Sequence, residues 1–214
     1  MNVRSPGSQR LLPSRGAVPV LLDGHHDQHG PLPYLRYATR ESLAAALRDA
    51  GLLTRDAAAQ PVDLAAGEPA TGTAATRKDR ALLWLTPHLV LDGLQLVAVA
   101  CQTRLGYLAT GEPGGGPLTE MLRRELARRA GAWIDVAPVI VTESSEMAGG
   151  TRLDAETLAH VAQITRYGAQ WFRSVGSAER PGTELREIRQ PNGGVDVREV
   201  PGGTQTPWLV RSRT

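Results

Sequence analysis

The stretch Lys78–Cys101, KDRALLWLTPHLVLDGLQLVAVAC, limits the possible folds of this chain more than any other segment. It predicts a short helix, a break at Thr86-Pro87, and a second helix that is apolar on nearly every face. Val90, Leu94, Val97 and Cys101 recur at the helical spacing of a core-facing stripe. Leu91, Leu96, Val99 and Ala100 fill the flanks, which leaves little of this helix for water. Thr86 is placed to cap it, and Pro87 suits a first helical position, where no backbone N–H is needed. Such a helix has to be enclosed by other layers of structure.

The chain of 214 residues is long enough for one good core with a small appended module. A net charge of +2 gives no electrostatic case for nucleic acid as a partner. Cys101 is the single cysteine, so a disulfide framework and a Cys-ligated zinc or iron–sulfur cluster are excluded for this chain. Its apolar helix marks it as a buried structural thiol. Asp92 and Gln95 interrupt the best apolar run before it reaches the roughly 18 residues of a membrane span. The N-terminal arginines precede no signal-peptide hydrophobic region, so the expectation is a soluble cytoplasmic protein.

Along the chain, residues 1–38 are rich in Pro, Gly, Ser and Arg and read as an irregular arm. The only histidine cluster, His25-His26-Asp27-Gln28-His29, lies there and reads as a solvated loop, since no second ligand group accompanies it. A helix is predicted over Ser42–Ala50, capped by Thr39 and ended by Gly51. Residues 52–77 read as one long loop. A strand over Arg104–Thr110 leads into the turn Gly111-Glu112-Pro113-Gly114-Gly115-Gly116. The helix Leu118–Ala130 follows, with Arg123, Arg124, Arg128 and Arg129 expected on its exposed face. Val139-Ile140-Val141 suit a strand covered on both faces. Asp154 is expected to cap a helix through Leu158, Val161 and Ile164. Thr183–Arg189 and Val195–Val200 flank Asn192-Gly193, the strongest hairpin signal in the chain. These elements predict a Rossmann-like α/β layer over 39–173, followed by a small β-grasp-like module over 174–214.

Several stretches together resemble the flavin-bearing, NADH-oxidising subunit of bacterial NADH–quinone oxidoreductase and its shorter actinobacterial relatives. Gly67-Glu68-Pro69, Lys78-Asp79-Arg80 and Pro87-His88-Leu89-Val90-Leu91-Asp92-Gly93 are similar to the family's run G-E-P…K-D-R…P-H-x-L-x-x-G. Gly30-Pro31-Leu32-Pro33 and Glu156-Thr157-Leu158-Ala159-His160 through Pro181-Gly182-Thr183 match other family segments. The resemblance implies the family's α/β layer, with the hairpin as the opening of its β-grasp module.

The site segments depart from the family pattern. Its flavin-phosphate loop G-R-G-G-x-G-F-P-T-G corresponds here to Thr54-Arg55-Asp56-Ala57-Ala58-Ala59-Gln60-Pro61, which has lost the glycines and gained an acidic residue. Asp63, Ala65 and Ala66 stand where the family has flavin- and nicotinamide-binding residues, and of these only Glu68 of G-E-P is kept. The family's G-E-E-S loop has become Thr142-Glu143-Ser144-Ser145, and its Asn-rich turn has become Arg152-Leu153-Asp154-Ala155. The cluster-binding C-x-x-C-x-x-C is absent from the sequence.

Three functions follow from that pattern. The leading expectation is a cofactor-free protein that binds a protein partner or small ligand, through the old cleft or the basic helix face. The second is a flavin-independent enzyme using Asp63, Glu68 and Glu143 as an acid–base group. The third is a divergent FMN-dependent NADH oxidoreductase. Neither FMN nor an iron–sulfur cluster is expected on the leading reading, no nucleic acid on any, and a homo-oligomer is compatible with all three. Trp84, Trp133 and Trp171 read as core or subunit-contact aromatics, and His88 and His160 as local hydrogen-bonding groups. Ser144 and Ser145 have no His-Asp arrangement near them in sequence.

Overall fold

The break at Thr86-Pro87 turns the chain by 102° between α3 (Arg77–Leu85) and α4 (Pro87–Ala100) in the computed structural model. The structure describes residues 10–13, 18–30, 32, 39–52, 70–73, 76–103, 105–131, 135, 137–143 and 151–205. Pro87 is the first residue of α4, as its missing N–H predicts. Thr86 occupies the cap position but does not cap: its hydroxyl donates instead to the carbonyls of Leu11 (2.9 Å) and Leu82 (3.3 Å). All of α4 except Val99 is buried, including Asp92 and Gln95, and Cys101 just beyond it is fully buried as expected.

Four parallel strands form the main sheet in the order β3-β2-β1-β4: β1 Ala70–Thr73, β2 Gly106–Ala109, β3 Val139–Thr142 and β4 Thr151–Asp154. The helices α3 and α4 connect β1 to β2, and α5 (Pro117–Gly131) connects β2 to β3. Then α6 (Ala155–Tyr167) starts directly at the end of β4, with the carboxylate of Asp154 capping the N–H of Thr157 at 2.6 Å. The helix α4 packs between the sheet and α6. Gly93 is required at that crossing, because a Cβ there would lie 1.9 Å from the backbone oxygen of Leu158. A side chain as small as a methyl group would have to push two helices apart.

The antiparallel hairpin β5 (Thr183–Arg189) and β6 (Val195–Pro201) follows α7 (Ala169–Arg173), with its turn at Asn192-Gly193 as the sequence predicts. Leu185 and Val197 join the same apolar cluster as α4 and α6, so the hairpin shares the core of the α/β layer. The fold is a Rossmann-like α/β layer with a small β module.

Four sequence expectations are corrected. The N-terminal histidines are not a solvated loop: Leu22–His29 is a helix, α1, and His25 and His29 are 2% and 3% exposed. The strand β1 lies within the stretch 52–77 expected to be one long loop, and β4 is a strand that was not predicted. The strand at Val139–Ile140–Val141 is an edge strand with Ile140 45% exposed, so it is not covered on both faces. Arg129 is fully buried and does not belong to an exposed basic face. The helix at 42–50 is confirmed as α2 (Arg40–Asp49), with the hydroxyl of Thr39 accepting the N–H of Ser42.

Candidate functional site

Because the four strands run parallel, their carboxyl ends share one edge, and the strand order reverses direction between β1 and β4. The crevice outside that reversal is where open α/β sheets place ligands. Three helices begin along this edge. The first turn of a helix carries N–H groups with no partner inside the helix, which makes it an anion site unless something else fills it.

Carboxylates of the chain itself fill these starts. Asp79, 2% exposed, accepts the N–H of Thr76 (3.0 Å), the hydroxyl of Thr76 (2.7 Å) and the N–H of Ala155 (3.0 Å). It therefore joins the start of α3 to the start of α6. Thr76 returns the contact by accepting the N–H of Asp79 at 3.2 Å, which completes a capping box. Glu156, in the first turn of α6, takes the N–H of Leu185 at 2.6 Å and Lys78 Nζ at 3.2 Å, tying α6 to β5. Burial raises the Glu156 pKa, and the Leu185 N–H and Lys78 only partly offset it.

The same arrangement holds at α5. Glu112 accepts the N–H of Thr119 (2.9 Å) and its hydroxyl (3.1 Å), and Arg80 Nη2 at 2.7 Å. Desolvation works against the Glu112 charge, but these hydrogen bonds win and hold its pKa below the usual range. Glu143, exposed beyond β3, accepts the N–H of Gly114 at 2.9 Å. Among the described residues, the carboxylates Asp79, Glu112, Glu143, Asp154 and Glu156 and the cations Arg77, Lys78 and Arg80 belong to the segments at this edge.

Of the residues singled out from sequence, Glu143 lies on this edge. Asp63, Glu68, Ser144, Ser145, Trp133 and the Thr54–Pro61 segment lie outside the described residues. Asp79 went unrecognised as a cap, although the Thr76-x-x-Asp79 spacing before an apolar run is the sequence signature of a capping box.

A second constellation is sealed inside the protein. Asp92 on α4 receives Arg129 Nη2 from α5 at 2.8 Å, Arg166 from α6, and His25 Nε2 from α1 at 2.7 Å. Arg129 Nε also donates to Asp135 at 2.8 Å. His88 Nε2 pairs with Glu125 at 2.9 Å, and Arg128 bridges Glu125 (3.2 Å) to Asp23 of α1 (3.0 Å). Burial would raise the Asp92 pKa, but Arg166 and Arg129 hold it well below the carboxylate range. Burial pushes His88 down to about 4 and lowers His25 as well, against the pull of their carboxylate partners. No group of three or more His, Cys, Asp or Glu among the described residues is arranged to hold a metal ion. This cluster locks four helices together. His88 is the local hydrogen-bonding group predicted for it.

A surface groove of about 650 Å³ lies between α3, the start of α5 and β6. Trp84, 40% exposed, forms one wall with Leu85, while Val195 and Val197 form the opposite one. Arg77 and Arg80 stand at its polar end, and Arg80 is fixed there by Glu112 and by the carbonyl of Thr110 at 3.0 Å.

No family model and no curated protein matches the chain. Among solved structures, it is similar to an NAD+-reducing [NiFe]-hydrogenase in the air-oxidised state, with a TM-score of 0.61 and 21% identity over 78% of this chain and 38% of that chain. For the hydrogen-reduced state the TM-score is 0.59, again with 21% identity, over 80% of this chain and 39% of that one. The chain thus spans about two-fifths of the length of those structures. At that identity the likeness is one of fold, and the chain has the α/β architecture seen in part of an NAD+-reducing hydrogenase.

Proposed function

We propose that this chain is a scaffold of the NADH–quinone oxidoreductase flavin-subunit type that works without flavin or an iron–sulfur cluster. It acts by binding a protein partner or small ligand, and its hairpin is the opening of a β-grasp-like module. The observation that carries this reading is the occupation of the α5 and α6 starts by Glu112 and Asp154, which lie outside the stretches shared with the family. A flavin phosphate would meet carboxylates there in place of unpaired N–H groups. Two like charges 4 Å apart near a protein surface repel by about 4 kcal/mol, a loss of roughly a thousandfold in affinity. The carboxylates at these helix starts support a site without FMN, and no step through flavin is derived. Equally, the basic face once expected on α5 contributes less than its sequence implies, since Arg129 is buried and Arg128 is paired twice. The test is the absorbance spectrum of the purified protein before and after FMN is added. No flavin bands should be retained after gel filtration, whereas stoichiometric retention of FMN would refute the proposal.

A further inference from the structure

We infer that the groove between α3, the start of α5 and β6 is a binding site for a small planar aromatic carboxylate. This deepens the binding role proposed above and rests on it.

Arg77, Arg80 and Trp84 of α3 stand at i, i+3 and i+7, so the helix presents them as one stripe. Seven residues at 1.5 Å rise separate the Arg77 and Trp84 backbone positions by about 10 Å along the helix axis. A planar aromatic lying on the indole can therefore point a carboxylate toward the arginines. Leu82 and Leu83 on the inner face of α3 are fully buried, and Trp84 is the large apolar side chain the helix gives to solvent. An indole held on a rigid helix offers a flat face at little entropic cost, and Val195 and Val197 close the opposite side of the slot.

Charge selects the ligand. Arg77 is exposed, lines the groove and makes no ion pair with another described residue. Arg80 is held in place by Thr110 and Glu112, and Glu112 in turn is satisfied by Arg80 and Thr119. Two arginines against one glutamate give the groove a net charge of +1. A planar carboxylate matches the fork of a guanidinium in geometry and sign. The volume of about 650 Å³ lies within the range of small-molecule pockets, and three short walls suit a compact ligand better than an extended peptide.

The probe is 2-naphthoate, titrated into the full chain by calorimetry, with 2-naphthalenemethanol as its uncharged counterpart. One naphthoate should bind with a dissociation constant of about 0.1 mM, a modest value suited to so small a ligand. Trp84→Ala should weaken it by at least about tenfold, and Val197→Gln, read in parallel should the first variant not fold, by a similar factor. Arg77→Gln should cost naphthoate about three- to tenfold yet leave the alcohol unaffected. Absence of saturable binding, or binding untouched by both wall substitutions, would overturn the assignment. So would binding of an acidic tryptophan-containing peptide in the groove with naphthoate excluded. Retention of FMN would overturn the cofactor-free reading whichever way naphthoate behaves, so the two failures are distinct.

Discussion

The carboxylate of Asp79 reaches from the first turn of α3 to the backbone N–H of Ala155, 3.0 Å away at the start of α6. One buried acid thus ties the start of α3 to the start of α6.

Removing that acid frees the N–H of Thr76 and the buried N–H of Ala155. Asp79→Ala should therefore destabilise the protein by about 2–4 kcal/mol, and Asp79→Asn by roughly half as much. Urea denaturation gives the numbers, read from the midpoint at constant slope. A change under about 0.5 kcal/mol for the alanine variant would show that the cap is incidental.

Arg129 and Arg124 stand five residues apart on α5 but in opposite environments, one fully buried between Asp92 and Asp135, the other exposed. Breaking a buried ion pair by removing one partner typically costs about 3–5 kcal/mol. Arg129→Met should fall near that range, while Arg124→Met should stay within about 0.5 kcal/mol. Equal effects would contradict the buried cluster.

The depressed histidines set the pH dependence. His88 and His160, each near 4 through burial, stay neutral in the folded protein when unfolded histidine titrates near 6.5. Between those values the unfolded chain binds protons that the folded chain refuses, so stability falls as pH falls through the window. The loss is about 2 kcal/mol for each ring by pH 5. His25, also lowered, acts in the same direction. Glu156 acts oppositely, because its raised pKa makes the folded state hold a proton that the unfolded state has released. Unfolding midpoints at pH 7.5 and 5 should differ as stated, and His88→Gln should flatten the difference. A stability that rises on acidification would count against the assignment.

Gly93 gives the sharpest packing test. With a Cβ placed 1.9 Å from the Leu158 oxygen, Gly93→Ala should cost about 3 kcal/mol or more, beyond the usual cost of overpacking. A neutral alanine variant would mean that α4 and α6 cross at a greater separation.

What the sequence revealed follows from which signals are local. Helix α4 and the hairpin were legible, because apolar periodicity and an Asn-Gly turn specify them without help from distant residues. Helix α1 was not, since its buried face is Leu22, His25 and His29, at i, i+3 and i+7 but mostly polar. Its burial depends on Asp92 and Tyr167, far along the chain. On α5, Glu125 and Arg129 continue the inner stripe of Leu118 and Leu122, so spacing would have placed them inside where charge alone placed them outside. The four-residue strands β1 and β4 carry Ala, Gly, Thr and Arg, and their pairing rather than their composition defines them. At the candidate site, the segment Thr54–Pro61 lies outside the described residues, and the carboxylates that cap the helix starts became evident only from their partners.

Equilibrium titration of the purified protein with FMN, followed by flavin fluorescence and by the spectrum after gel filtration, decides whether this scaffold works without flavin. No saturable binding at micromolar FMN and no retained flavin bands are expected. Stoichiometric FMN held with micromolar affinity or tighter would contradict this reading.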